Sequence, residues 1–166
     1  MDAAVAAARE KLNQVTPLKK DCGRVCGARC CRPLEGEETG MLLFPGEEDA
    51  YAGKAGWEVR KTARGNLLLC GGICSREDRP LSCRLFPLLP LIGDGGEIRV
   101  VVDLRARAVC PLARQGKEAM DPAFIDAVRE AGEILAADDE QAVFLDMLAE
   151  EQEQLRELRK QYLSSR

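Results

Sequence analysis

The sequence predicts an α+β fold: a small, irregular, metal-centred domain with short hairpins in its middle and helices at both ends. Apolar residues recur at helical spacing near both termini, whereas strand-like runs separated by turn residues occupy the middle. Eight cysteines lie among these runs, in a chain of 166 residues that has no histidine. Because the cysteine-rich stretch over residues 21–40 has too few apolar residues to build a core, we expect bound metal to order it.

The first predicted element is a helix over residues 2–16. Its apolar side chains fall three or four positions apart and form one stripe: Val5, Ala8, Leu12 and Val15. Pro17 ends the helix because proline lacks the amide hydrogen that a further turn requires. A second, short helix is predicted from Glu47 to about Ala55, with acidic side chains at its positive end.

Two β-hairpins are predicted in the middle of the chain, each with a turn that contains glycine. Their strands are residues 57–62 with 66–70, and residues 85–92 with 97–105. Pro87 and Pro90 place the third of these strands at a sheet edge or make it irregular, since proline donates no ladder hydrogen bond.

Two helices are predicted to end the chain. The first begins at Asp121-Pro122, where an N-cap residue is followed by proline at the first helical position. Its apolar stripe consists of Phe124, Val128, Ala131 and Leu135. The second runs from about Asp139 to Tyr162 and carries a heptad-like stripe of Phe144, Leu148, Leu155, Leu158 and Tyr162.

These elements divide the chain into two parts. Residues 1–137 form a cysteine-cluster metal-binding domain with its N-terminal helix, and residues 138–166 form an acidic helix that packs on this domain or pairs with a partner. The first part has 20 basic and 20 acidic side chains, and the second has 4 and 8. Packing on the same chain is favoured over a homodimer or a protein partner, because Glu151 interrupts the stripe and its charge is costly to bury.

The cysteines form two groups and one single residue. The first group is Cys22, Cys26, Cys30 and Cys31, the second is Cys70, Cys74 and Cys83, and Cys110 follows alone. Grouped thiols suit a metal site, since two ligands from one short loop cost little closure entropy. Eight thiols fill two four-ligand sites, or one cluster site with spare thiols. On a regular helix or strand Cys31 does not point with the other three, which indicates that the adjacent pair does not simply chelate one ion.

Arginines are concentrated near these cysteines. Nine of the seventeen arginines fall within residues 22–32, 74–84 and 105–114. They are Arg24, Arg29, Arg32, Arg76, Arg79, Arg84, Arg105, Arg107 and Arg114. Guanidinium groups lower the pKa of nearby thiols and donate hydrogen bonds to sulfur, so the clustering supports a negatively charged thiolate site.

The second cysteine group carries a further motif, Arg79-Pro80-Leu81-Ser82-Cys83-Arg84-Leu85-Phe86-Pro87. With Cys74 before it and Cys110 after it, this stretch resembles the YkgJ-type cysteine-cluster family, described as zinc- or iron-chelating. The resemblance covers roughly residues 22–114. The family's first cluster has two-residue spacers where this chain has three, and the segment after Cys74 is one residue shorter and lacks an aromatic. The resemblance implies metal binding through the cysteines. Some flagellin lysine methylases contain a similar cluster.

The predicted function is therefore a metal-binding protein that holds zinc or an iron–sulfur centre through its eight cysteine thiolates. Zinc is preferred over iron–sulfur for a structural role, although both accept four thiolates. The alternative is an iron–sulfur-dependent redox or protein-modifying, methylase-like enzyme. Without histidine there are no histidine-based triads or metal centres, and a cysteine nucleophile would lack its usual base.

Composition excludes other classes of partner. The neutral body and the few aromatic residues give no support to nucleic-acid binding. The longest apolar run, residues 85–92, is too short to cross a membrane, and Asp2 stands where a signal peptide has basic residues. A cytoplasmic location is expected, where thiols stay reduced and available to metal.

Overall fold

A computed structural model describes residues 1–32, 40–72 and 74–165 and shows the expected α+β fold. The helices in these ranges are α1 (Ala3–Lys11), α2 (Cys22–Cys26), α3 (Leu81–Leu85), α4 (Ala106–Val109), α5 (Pro111–Gln115), α6 (Pro122–Ala136) and α7 (Asp139–Ser164). The strands are β1 (Gly40–Leu42), β2 (Trp57–Thr62), β3 (Gly65–Cys70), β4 (Leu88–Ile92) and β5 (Ile98–Val102). Residues 33–39, part of the irregular stretch predicted over residues 21–40, lie outside the described residues.

The N-terminal helix is present but shorter than predicted. Val5, Ala8 and Leu12 are buried, as their spacing requires. The helix stops at Lys11, because the Arg76 side chain donates hydrogen bonds to the carbonyl oxygens of Leu12 and Asn13, both at 2.8 Å. A side chain from a distant loop thus satisfies carbonyls that a longer helix would have used itself.

The first predicted hairpin is confirmed. Strands β2 and β3 pair antiparallel from Trp57↔Cys70 to Thr62↔Gly65, and β1 joins the other edge of β3. Leu43, Tyr51 and Leu68 form a small apolar cluster beside this sheet. The sheet places Cys70 at the end of its central strand.

The second predicted hairpin is only partly confirmed. Its strands are shorter than expected, and Leu85 belongs instead to α3. Pro90 pairs with Val100 in a sheet of two strands, where both strands are edges and a missing amide donor is tolerated. The helix predicted from Glu47 to Ala55 is also wrong in extent, since only Glu48–Ala50 form a single 3₁₀ turn.

The main core lies between the β4–β5 sheet and helices α1, α6 and α7. The Asp121 carboxylate caps α6 by accepting a hydrogen bond from the Ala123 amide at 3.0 Å, as predicted. The predicted α6 stripe is fully buried: Phe124, Val128, Ala131 and Leu135. Gly132 allows α6 to approach the sheet, because a Cβ at this position would lie 2.5 Å from the Cβ of Pro90.

Helix α7 docks on its own chain along its first half. Phe144, Leu145 and Leu148 join the main core. The buried side chain of Gln141 donates to the Pro45 carbonyl oxygen at 3.0 Å, and that of Gln152 donates to the Asp103 carboxylate at 3.1 Å. The main neighbours of α7 are β4 and α6, whereas α1 packs chiefly on α6.

Beyond Gln152 the same helix leaves the core. Leu158 is 61% exposed and Tyr162 is 58% exposed, so only the first part of the heptad-like stripe is used for packing. Glu151, which interrupts the stripe, forms ion pairs with Arg105 at 3.2 Å and with Arg64. Its charge is thus matched within the chain, and the exposed stripe begins after it.

A truncation experiment follows from this division of α7. We expect deletion of residues 153–166 to change the free energy of unfolding by no more than about 1 kcal/mol, because it removes little buried surface. Deletion of residues 139–166 removes three core side chains and should prevent stable folding. Chemical denaturation measures both effects. Light scattering on the full chain and the shorter truncation tests pairing, since a monomer in both cases contradicts a dimer formed through this helix.

Candidate metal centre

The fold brings all eight cysteines to the wall of one cavity of about 410 Å³. They reach it from separate segments: α2 and the 3₁₀ turn Arg29–Cys31, the end of β3 and the loop after it, α3, and the junction of α4 with α5. None is in a disulfide, and Cys30 is exposed whereas the others are half-buried. The two cysteine groups and the single cysteine therefore share one cavity.

Helix α2 presents the first two cysteines. Asp21 caps it by accepting a hydrogen bond from the Gly23 amide at 3.0 Å, and Gly27 ends it in the left-handed conformation. Cys22 and Cys26 are thus one helical turn apart and share a face. Ala28, with φ of 53°, is also left-handed and turns the chain back toward the cavity.

The sulfur atoms of Cys30 and Cys31 lie 3.8 Å apart. The divergence expected on a regular helix or strand is absent, because these residues form a 3₁₀ turn entered from the left-handed Ala28. Two thiolates on one tetrahedral zinc ion, each about 2.3 Å from the metal, also stand about 3.8 Å apart. The two thiols are therefore close enough to bind one ion together or to bind two neighbouring ions.

Gly72 allows the second cysteine group to approach the first. A Cβ at this position would lie 2.4 Å from the carbonyl oxygen of Cys31, and its φ of +76° is a conformation that other residues rarely adopt. The backbone after Cys70 therefore packs directly against the turn that carries Cys30 and Cys31. A side chain at position 72 would separate the two groups.

The thiols perturb one another's ionisation. Burial raises the pKa of Cys22, Cys74 and Cys83, and the charges of neighbouring thiols raise it further. Those neighbours are Cys26 and Cys110 for Cys22, and Cys31 and Cys70 for both Cys74 and Cys83. The hydrogen bond between the adjacent pair lowers the pKa of Cys31 and raises that of Cys30. Several thiolates together thus need positive charge, which a metal ion supplies.

The donor set fits a thiophilic metal. Among the described residues, the cavity wall has no carboxylate, and the soft sulfur ligands that zinc and iron–sulfur clusters prefer are its metal-binding side chains. Within residues 1–32, 40–72 and 74–165, no three thiol or carboxylate side chains stand close enough together to hold an ion as they are placed. Metal binding therefore requires the thiols to move inward from the wall of the cavity.

Four of the nine arginines near the cysteines line the cavity: Arg29, Arg76, Arg79 and Arg84. Arg79 interacts with the Cys74 thiol by a hydrogen bond and by charge, and this interaction lowers the thiol's pKa against the larger effect of burial. Other arginines among the nine form their contacts away from the cavity. Arg105 pairs with Asp103 at 2.8 Å, and Arg114 donates to carbonyl oxygens of α4. Fewer arginines thus line the cavity than lie near the cysteines in the sequence.

A buried polar network supports the cysteine-bearing helix α3, and the sequence did not indicate it. Glu47 is fully buried and accepts hydrogen bonds from Arg9 at 2.5 Å and from the amide of Leu81, the first residue of α3, at 2.8 Å. Tyr51 accepts from Arg9 and donates to the Asp78 carbonyl oxygen, both at 3.0 Å. Burial raises the pKa of Glu47, and it raises the pKa of Tyr51 to about 12. No local pattern could reveal contacts between residues so distant in the chain.

The structure thus defines an α+β protein with eight free thiols around one cavity. Among the described residues, no helix is both long enough and apolar enough to span a membrane. Comparison of the chain with protein-family models, with curated proteins and with solved structures finds no match.

Proposed function

We propose that this chain is a cytoplasmic metal-binding protein whose eight cysteine thiolates hold zinc, or in its place an iron–sulfur centre. The observation that carries the proposal is the convergence of all eight thiols on one cavity. Free thiols gathered from distant segments are unusual unless they bind something, because each is costly to ionise there without a cation. The resemblance of residues 22–114 to the YkgJ-type family supports the same function.

The ligands form two sets. Burial raises the pKa of Cys22, and the charges of Cys26 and Cys110 raise it further. Burial likewise raises the pKa of Cys83, and the thiols that add to this effect are Cys31, Cys74 and Cys70. The adjacent pair lies between the sets, since Cys30 interacts with both Cys22 and Cys83. Each set of three gains its fourth thiolate from this pair, so the protein holds about two zinc ions at four thiolates each.

Metal analysis of single cysteine variants tests this arrangement. We expect Cys110→Ser and Cys83→Ser each to lose about half of the zinc measured per chain in protein purified without oxygen. Ser75→Ala is the control, because Ser75 neighbours Cys74 but bonds only to Asp78, and it should keep the full metal content. Full metal in Cys83→Ser shows that this thiol is not a ligand. Complete loss in both variants shows one shared cluster instead of two sites.

The iron–sulfur alternative has a separate readout. The thiol cavity, of about 410 Å³, is larger than a single zinc ion requires, and a multinuclear iron–sulfur cluster is therefore the second candidate for its occupant. Protein purified without oxygen would then be brown and contain iron and acid-labile sulfide in stoichiometric amounts. A redox or protein-modifying activity becomes the relevant hypothesis only in that case. Colourless protein with stoichiometric zinc supports the structural role.

A further inference from the structure

A second cavity, of about 760 Å³, adjoins the thiol cavity. It lies between the end of α1, the loop that follows, and the loop before α3. Arg76, Arg79, Arg84 and Thr16 line both cavities and so form the boundary between them. A molecule bound in the second cavity would therefore lie next to the thiols.

Positive charge predominates in this second cavity, although the whole chain has a net charge of −4. Its basic side chains are Lys19, Lys20, Arg76, Arg79 and Arg84, together with Arg9, which is paired with the buried Glu47, and its acidic ones are Glu10, Asp21 and Glu77. Two of these acids have other partners. Glu10 accepts a hydrogen bond from Asn13, and Asp21 caps α2.

Backbone carbonyl groups hold several of these arginines in place. Arg76 donates to the carbonyl oxygens of Leu12 and Asn13 at 2.8 Å, and Arg84 donates to those of Arg79 at 3.0 Å and Glu77 at 2.9 Å. A carbonyl oxygen satisfies an N–H donor but does not cancel the charge of the guanidinium group. The positive charge is therefore fixed in position and only partly neutralised, which is the arrangement that binds anions with little reorganisation.

One donor at the boundary points to a ligand independently of the charge count. The Nε of Arg79 is inaccessible to solvent and has no hydrogen-bond partner among the described residues. Buried donors are satisfied in the great majority of folded proteins, and an acceptor bound at this N–H would complete the site. Arg79 lines both cavities, so an acceptor oxygen bound there would sit between the basic cavity and the thiols.

We propose that the basic cavity binds a small oxyanion, a phosphate or carboxylate group of a small molecule, beside the thiol cavity. The fixed charge of the guanidinium groups attracts both chemistries, and Lys19 and Lys20 add charge and N–H donors at the exposed rim. The proposal rests on the side chains of the basic cavity, of which Arg79 also interacts with the Cys74 thiol, and metal content is therefore measured together with anion binding. It assigns the protein a ligand class that the cysteines do not imply.

Calorimetric titration with inorganic phosphate and with succinate, at constant ionic strength set with chloride, tests the proposal. We expect saturable one-to-one binding of at least one of them, and the tighter of the two identifies the source of the oxyanion. Lys20→Gln should weaken this binding by about tenfold, the size expected for one charge-assisted contact. Lys61→Gln, an exposed charge on β2 outside both cavities, is the matched control and should leave it unchanged.

Metal content measured on the same samples separates this test from that of the proposed function. Weaker phosphate or succinate binding in Lys20→Gln at unchanged metal content supports the basic cavity. Arg79→Lys, which keeps the charge but loses the buried Nε, should weaken binding as well. The proposal is overturned if neither anion binds, if Lys61→Gln weakens binding equally, or if a hexaglutamate peptide binds more tightly than both anions, which would indicate an acidic peptide ligand.

Discussion

Removal of metal by a chelator under reducing conditions should lower the thermal unfolding midpoint by about 10–20 °C. The described residues of the cysteine-bearing segments 22–32 and 70–80 contribute no buried apolar side chain to either core cluster. Their order must therefore come from other contacts, and four-thiolate metal sites supply several kcal/mol to folds of this kind. In a chain of this size each kcal/mol corresponds to about 2–4 °C.

Hydrogen exchange locates the effect. We expect the amides of residues 22–32 and 70–80 to lose protection after metal removal, while those of α6 remain protected because α6 packs in the main core. Added zinc should restore both the midpoint and the protection, which excludes oxidation of the thiols as the cause. An unchanged midpoint after verified removal of the metal would falsify the structural role.

Glu47→Ala should destabilise the protein by about 3–5 kcal/mol, the usual result of breaking a buried ion pair. It leaves the Arg9 guanidinium, which is 12% exposed, without its carboxylate, and it leaves the Leu81 amide without its acceptor. Because Leu81 begins α3, we also expect looser placement of Cys83 and a lower metal content. Urea denaturation with an unchanged m value measures the loss of stability.

Two further variants control this experiment. Glu47→Gln keeps an acceptor for the Leu81 amide and should cost less than the alanine variant. Glu153→Ala breaks only an exposed ion pair with Arg156 on the projecting part of α7 and should change stability by no more than about 0.5 kcal/mol. Equal effects of Glu47→Ala and Glu153→Ala would show that the buried network does not support α3.

Local patterns predicted α6, α7 and the first hairpin well, and α1 in part. The stripe of α6 and its Asp121-Pro122 start needed only helical periodicity and cap chemistry, and both are observed. The prediction of the second hairpin was wrong in part. The residues around Phe86-Pro87 form α3 and a turn, which contacts to other segments hold in place. The helix predicted from Glu47 to Ala55 did not form for a related reason, since the Glu47 carboxylate binds Arg9 and the first amide of α3 and is not available to stabilise a helix that begins at its own position.

By itself the sequence determined the donor chemistry of the candidate site, the helices at both ends and the presence of one hairpin. These depend on residue type and on spacing within a few positions, which local hydrogen bonding and periodicity govern. Only the tertiary structure decided that eight thiols share one cavity, that Cys30 and Cys31 converge, and that α7 leaves the core after Gln152. Each of these depends on contacts between segments tens of residues apart, such as Gly72 against Cys31, whose energies no local pattern contains.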